Sequence, residues 1–260
     1  MSQRTDFRIV IPARYASSRL PGKALLPLAG RPMLQWVHER ARGCGAREVV
    51  VATDDARIAD VARGFGAEVE LTAATHESGT DRIAEVATRR GWADGDIIVN
   101  LQGDEPLMPT SLLRQVASLL ADHPSAGMAT LCGPLAGLEA FLDPNVVKAV
   151  ATDAGRALYF SRAPIPWNRD AAPAGLSSQT AYEGACRHIG LYAYRVSALQ
   201  RLAGLPPSPL ERLEKLEQLR ALEHGIEIRI ALALEAPGPD VNTPADLARA
   251  EAALVAEAQP

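Results

Sequence analysis

Cysteine is scarce in this 260-residue chain: there are only three, Cys44, Cys132 and Cys186, far apart and without metal-ligand spacing. An odd, scattered set reads as small apolar side chains in a reducing compartment. An excess of one charge sign is also missing. The 27 Lys and Arg against 31 Asp and Glu leave a net charge of −4, which excludes the broad basic face of a dedicated nucleic-acid binder. No apolar run approaches the roughly 18 residues needed to cross a bilayer. Met1–Phe7 lacks the apolar stretch of a signal peptide. These absences predict a soluble cytoplasmic protein without membrane or nucleic-acid partners. Internal repeats and low-complexity tails are absent too. What the chain does have is apolar content, 47% of its residues, enough for one large α/β domain.

Strand-like and helical patterns alternate through the first half. Phe7–Pro12 reads as a strand, followed by a loop and a helix with Met33, Leu34, Val37 and Ala41 on one face. Glu48–Thr53 is a strand continuous in valine, as expected where both faces of a parallel sheet are covered. Helices at 55–65 and 80–90 alternate with strands at 67–71 and 96–101, a rhythm that predicts an open, mostly parallel sheet. In the second half, 146–151, 189–194 and 226–234 read as strands. Ala163–Ser178 is rich in Pro and Ala and reads as a projecting loop or arm. Leu210–Glu223 reads as one charged helix with Leu213, Leu216 and Leu219 inward. Thr243 caps a closing helix to Glu257, with Pro244 at its first position.

The segment PARYASSRLPGKAL, residues 12–25, leaves the first strand at its carboxyl end, where open α/β sheets bind ligands. Its small residues let backbone N–H groups approach phosphate oxygens, and Arg14, Arg19 and Lys23 can neutralise them. The pattern is neither G-x-G-x-x-G nor G-x-x-x-x-G-K-[ST], which counts against dinucleotide and P-loop chemistry. An exposed loop with three solvated cations is the plainer reading. In NLQGDEP, 100–106, Asp104 and Glu105 follow a buried strand, and Gly103 permits a tight approach. A lone carboxylate there is commonly a turn former. Beside a phosphate loop on the same sheet edge, Asp104 suits a magnesium ion that also takes water and phosphate oxygens. Glu105 reads as structural. Ser78 and Asp81, in HESGTDR, have capping-box spacing.

The loop at 12–25 resembles the signature loop of sugar nucleotidyltransferases, and specifically that of the CMP-Kdo synthetase family, where Kdo is 3-deoxy-manno-octulosonate. The likeness continues through VVVATDD (49–55), HESGTDR (76–82), NLQGDEP (100–106), YFSRAPIPW (159–167), RHIGLYAYR (187–195), SPLERLEKLEQLR (208–220) and VNTPADL (241–247). The resemblance implies a three-layer α/β nucleotidyltransferase fold. It implies a mostly parallel central sheet and a projecting β-rich dimerisation arm, in one domain over 1–260, with 155–195 supplying the arm and part of the acceptor site.

The implied chemistry is transfer of CMP from CTP to Kdo for lipopolysaccharide assembly, by a magnesium-dependent homodimer. Arg14, Lys23 and Asp104 would be catalytic, and Pro12, Ala13, Arg14, Lys23, Ser78, Arg82 and Gln102 would hold the nucleotide. Gln102, Arg162, His188, Tyr192, Glu217 and Gln218 would hold the sugar. The family's second metal ligand is an aspartate where this chain has Asn242, whose amide oxygen brings no charge; Asp240 lies nearby. Other readings of the residues are a surface Arg162, a structural His188, a core Tyr192 and a solvated Glu217. Alternative functions are a cytidylyltransferase for sialic acid or an amino analogue of Kdo, and a nucleotide-binding regulator that has lost turnover through Asn242.

Overall fold

The computed structural model describes residues 5–16 and 20–257. Arg19, the middle cation of the 12–25 loop, lies outside the described residues. In chain order the strands are β1 (Arg8–Ala13), β2 (Pro27–Leu28), β3 (Arg31–Pro32), β4 (Glu48–Thr53), β5 (Glu68–Leu71), β6 (Ile97–Asn100), β7 (Met128–Gly133), β8 (Lys148–Ala151), β9 (Ala157–Ser161), β10 (Cys186–Arg195) and β11 (Ile228–Leu232). The helices are α1 (Met33–Gly43), α2 (Ala56–Gly64), α3 (Gly79–Arg89), α4 (Thr110–Ala121), α5 (Leu138–Leu142), α6 (Val196–Ala203), α7 (Pro209–Glu214), α8 (Gln218–Glu223) and α9 (Pro244–Glu257). None of these helices is long and apolar enough to cross a membrane.

The main sheet runs β11-β7-β10-β6-β1-β4-β5. β1 pairs in parallel with β4 and β6, β4 with β5, and β7 with β11. β10 alone on this path runs against its neighbours β6 and β7. The hairpin β8–β9 hangs from the start of β10. The result is a mixed, mostly parallel sheet with a hairpin at its margin. Every residue of β1 is buried, because alternate side chains enter different cores. Ile9 and Ile11 meet α1, α2 and α4 through Leu34, Ile58 and Leu113. Val10 faces the opposite side, with Ile83 of α3, Leu199 of α6 and Leu219 of α8. A third, smaller core joins α9 to Leu28, Met33 and Val241.

One expectation fails. The single helix over 210–223 is two helices, α7 and α8, broken at Lys215, whose φ of 55° is left-handed. Leu216 and Leu219 are buried, but Leu213 is 80% exposed. A straight helix would have set all three leucines against one surface. The break instead turns Glu217 and Gln218 towards the sheet edge. Thr243 behaves as read: its Oγ1 accepts from Asp246 N, and its own N–H donates to the Asp246 carboxylate. Sequence reading assigned no element between 102 and 145, where the structure has α4, β7 and α5.

Gly127 fixes how closely α6 lies on the sheet. A Cβ there would stand 2.7 Å from Ala198 Cβ and 2.8 Å from Ile226 Cγ2, neither of which has a flexible end that could yield. Gly127→Ala should therefore destabilise the fold by about 1–3 kcal/mol through overpacking. A thermal melt followed by circular dichroism checks this; an unchanged midpoint would refute the close contact.

Candidate functional site

The carboxyl ends of β1 and β6 deliver two loops to one place. β1 ends at Pro12 and Ala13, beyond which Arg14 is exposed and donates to Glu77 O at 3.1 Å. Gly22 N donates to Tyr15 O at 3.0 Å, just before the turn that begins at Lys23. From β6 the chain runs through Gln102 and Gly103 to Asp104. An added Cβ on Gly103 would lie 3.1 Å from Pro12 O, so a small residue there is what lets the loops touch.

Lys23 Nζ lies 2.5 Å from Asp104 Oδ2 and 3.4 Å from Asn242 Oδ1. The amide of Asn242 is oriented for this contact by its other end, because Nδ2 donates to Asp240 Oδ2 at 2.5 Å. Asp240 thus aims the amide oxygen. The late block is tied to the acidic loop by Val241 N donating to Asp104 O at 2.9 Å. Two oxygens, one charged and one neutral, converge on a single cation. Among the described residues no cluster of three or more His, Cys, Asp or Glu could hold a metal. Any ion at Asp104 and Asn242 would therefore complete its shell with water or substrate oxygens. The donor set, two hard oxygens and no sulfur, fits magnesium.

Glu105, read as structural, is enclosed, and its carboxyl is pushed up to about 8, first by burial and then by Asp104 and Asp240.

A cleft of about 820 Å³ opens beside these loops, lined by Arg14, Ser78, Gln102, Glu217 and the cations Arg212, Lys215 and Arg220, among others. Ser78 is the N-cap of α3: its Oγ accepts from Asp81 N at 3.0 Å, and Ser78 N donates to Asp81 Oδ2 at 3.2 Å. Arg82, four residues on, is wholly buried, bonds Thr72 and pairs with Asp54 at 3.1 Å. It does not line the cleft. Glu217, far from a solvated helix face, bonds Thr80 and lies 3.8 Å from Arg220. Burial raises its carboxyl above the usual range, against the hydrogen bond from Thr80.

Tyr192 and Gln218 line a smaller cavity off the same cleft, together with Gln102 and Glu217. Arg162 and His188 line neither space. Arg162 Nε donates to Glu214 O at 2.7 Å and Nη1 to Pro144 O at 3.0 Å, so its fork pins the loop after β9 to α7. His188 packs edge-on to Phe160 at 5.0 Å and against Tyr192 at 5.3 Å between ring centroids. Thr130 Oγ1 lies 3.1 Å from His188 Nε2, and also 3.0 and 2.9 Å from the carbonyls of Ile189 and Leu191. One hydroxyl proton serves those carbonyls, so the imidazole must donate from Nε2, which leaves a lone pair on Nδ1. Sequence reading missed Asn100, Thr80, Tyr194 and the cleft cations. A polar Asn closing the run IIVN was the one visible signal.

Burial takes His188 down to about 3. The native ring therefore stays neutral while the unfolded chain takes up a proton below about 6.5, and stability falls as pH drops through that window. At pH 5 the loss is about 2 kcal/mol. His188→Gln keeps a donor for Thr130 without the titration. It should lose less stability than wild type between pH 7 and 5 in urea unfolding; equal losses would show that the ring ionises freely in the fold.

Comparisons with known proteins follow the same outline. Residues 8–228 match the family described as Cytidylyltransferase. The 3-deoxy-manno-octulosonate cytidylyltransferase of Thioalkalivibrio sulfidiphilus is 58% identical over 96% of this chain and 99% of its own. That of Halorhodospira halophila is 55% identical over 93% and 94%. A solved structure of CMP:2-keto-3-deoxy-manno-octonic acid synthetase complexed with CTP superposes with a TM-score of 0.87 at 43% identity, covering 97% of this chain and 99% of that one. A cytidylyltransferase from Leptospira borgpetersenii shares the fold, with a TM-score of 0.60 at 21% identity over 93% and 83% of the two chains. With relatives this similar along nearly its whole length, the chain belongs to the 3-deoxy-manno-octulosonate cytidylyltransferase family.

Proposed function

We propose that this protein transfers CMP from CTP to the anomeric hydroxyl of Kdo, releasing pyrophosphate and giving CMP-Kdo for lipopolysaccharide assembly. The observation that carries the reading is the full-length likeness, 58% identity over 96% of the chain. The site supports it chemically: cations, a carboxylate and a polar cleft share one sheet edge. CTP lies along residues 12–25, with its phosphates met by Arg14 and Lys23 past the end of β1, and with Ser78 at the positive end of α3. Pro12, Ala13 and Gln102 form the floor beneath the nucleotide. Arg82 acts indirectly by holding Asp54 and Thr72. The sugar sits against Gln102, Tyr192, Glu217 and Gln218, with His188 backing the Tyr192 ring. Arg162 meets an acidic sugar only if its fork leaves Glu214 O and Pro144 O.

The anomeric oxygen attacks the α-phosphorus in line as the bond to pyrophosphate breaks, without a covalent enzyme intermediate. Magnesium held by Asp104 and Asn242 would offset charge on the phosphate oxygens. The remaining catalysis is positioning and fixed positive charge from Arg14 and Lys23. CTP is a cytoplasmic metabolite, so the work is assigned to the cytoplasm.

The arm belongs to the same single domain over 1–260. Residues 155–195 carry Leu158, Trp167, Leu176 and Tyr182, all exposed at 37–57%. Such apolar exposure suits a surface covered by a second copy of the chain, in a homodimer.

Purified protein supplied with magnesium should release pyrophosphate from CTP and Kdo, and far less from ATP or GTP or with a neutral sugar. Equal turnover of a neutral sugar would reject the acceptor assignment. Lys23→Ala should lower kcat more than tenfold, since a lost charge-assisted contact costs about 1.5–3 kcal/mol.

Metal binding is tested apart from turnover, by titrating nucleotide-free protein with manganese and reading its spin resonance signal. Asp104→Asn should weaken binding strongly. Asn242→Asp should tighten it, because the new carboxylate adds charge and stands against Asp240, a repulsion that a divalent ion relieves. Unchanged binding in both folded variants would move the metal elsewhere.

A further inference from the structure

The smaller cavity off the cleft, about 110 Å³, shares Gly79, Gln102 and Glu217 with it. Asn100 and Tyr192 are partners across β6 and β10 in its wall, and Gln218 enters from the start of α8. These three are only 3%, 8% and 7% exposed. Asn100 Oδ1 and Gln218 Nε2 are each buried without a hydrogen-bond partner, and the Tyr192 hydroxyl beside them has only Thr130 near it. Tyr194's hydroxyl is held by Thr80 and Asn100, so the Asn100 amide nitrogen is turned to that phenol and its oxygen is left over.

Leaving the Asn100 oxygen and the Gln218 amide nitrogen unmet is unfavourable, and such a set calls for a ligand. With the Tyr192 hydroxyl it offers an acceptor, a donor and a group that can serve as either. Alcohol groups, which donate and accept at once, match it. A carboxylate, which only accepts, does not. No Lys, Arg or His lines the cavity, whereas the carboxylate of Glu217 does. The volume corresponds to roughly three or four waters: room for one edge of a sugar, too little for an eight-carbon acid.

We propose that this cavity reads neutral hydroxyls along one edge of the acceptor sugar, with Asn100 Oδ1 accepting from one of them, while the sugar's carboxylate stays outside in the cleft. The assignment rests on the cytidylyl-transfer reading above and adds Asn100 to the residues that touch the acceptor. Tyr192 Oη and Gln218 Nε2 complete the set. Asn100 also sets specificity, because an acceptor lacking the matching hydroxyl leaves its oxygen buried and unpaired.

The test compares Kdo with a panel of its monodeoxy analogues, each lacking one hydroxyl. Wild type should discriminate against at least one analogue by roughly 3–10-fold in kcat/KM, the scale of one neutral hydrogen bond. Asn100→Ala should raise KM for Kdo by a similar factor, leave KM for CTP unchanged and abolish the discrimination at that hydroxyl alone. Asn100→Asp keeps the acceptor oxygen but loses the donor to Tyr194. It should retain the discrimination, and it decides the matter if Asn100→Ala does not fold. If Asn100→Ala discriminates as wild type does, or Asn100→Asp loses discrimination along with it, Asn100 only supports Tyr194 and the proposal falls. Absence of pyrophosphate release from wild type with Kdo would instead overturn the reading on which it rests.

Discussion

The contact between Lys23 and Asp104 fastens side chains from parts of the chain that lie far apart in sequence. The two residues are 81 positions apart, and Asn242, on the other side of the same ammonium, is 219 from Lys23. Their side chains are mostly shielded, at 16% and 24% exposure, so attraction between them is less screened than on an open surface. The geometry behind the contact is supplied by backbone. β1 and β6 are parallel neighbours, so their carboxyl ends open on the same side. Gly103 lets the second loop come within van der Waals reach of Pro12. A bulkier residue there would push Asp104 away from the ammonium without changing either charge.

The parts of this arrangement that could be read from sequence are those with a local cause. Glu48–Thr53 is a strand over the whole range expected, because a run of valines covered on both sides admits little else. Ser78 and Thr243 cap their helices as spaced. The break at Lys215 had no such cause. The leucine spacing continues through it, and only tertiary packing, which leaves Leu213 outside, reveals that the helix turns. β10 was legible as a strand, but its antiparallel insertion between β6 and β7 is a non-local fact. That insertion is what sets Tyr192 opposite Asn100. The candidate residues divide the same way. The loop motifs pointed to Lys23 and Asp104, which the structure brings together, whereas Asn100 stands out only when β10 arrives beside it.

Charge is distributed unevenly across the edge of the sheet, and this separates two kinds of recognition. Near β1 lie Arg14 and Lys23, balanced by Asp104; such groups bind phosphate strongly but discriminate poorly between one phosphate and another. Near β10 the interior is neutral. His188 is kept uncharged by burial, Tyr192 and Tyr194 hold their protons far above neutral pH for the same reason, and Glu217 is shifted towards its protonated form by enclosure. A neutral, enclosed region rewards matched hydrogen bonds and penalises unmatched ones, which is the stronger source of selectivity.

The two regions meet at Gln102, which lines both the open cleft and the small cavity and lies one residue before Gly103. An in-line displacement needs the attacking hydroxyl and the phosphorus held in register to a fraction of an ångström. Under the proposed placement of CTP and sugar, a single short loop sets both. Any shift of residues 102–104 moves the Asp104 carboxylate and the Gln102 side chain, shared by cleft and cavity, together. Thr80 of α3 is tied to Glu217, the residue just before α8, by a hydrogen bond. Without that tie, the wall that carries Gln218 could drift relative to the loop that carries Asp104. The selectivity of the neutral region would then no longer be aligned with the chemistry of the charged one.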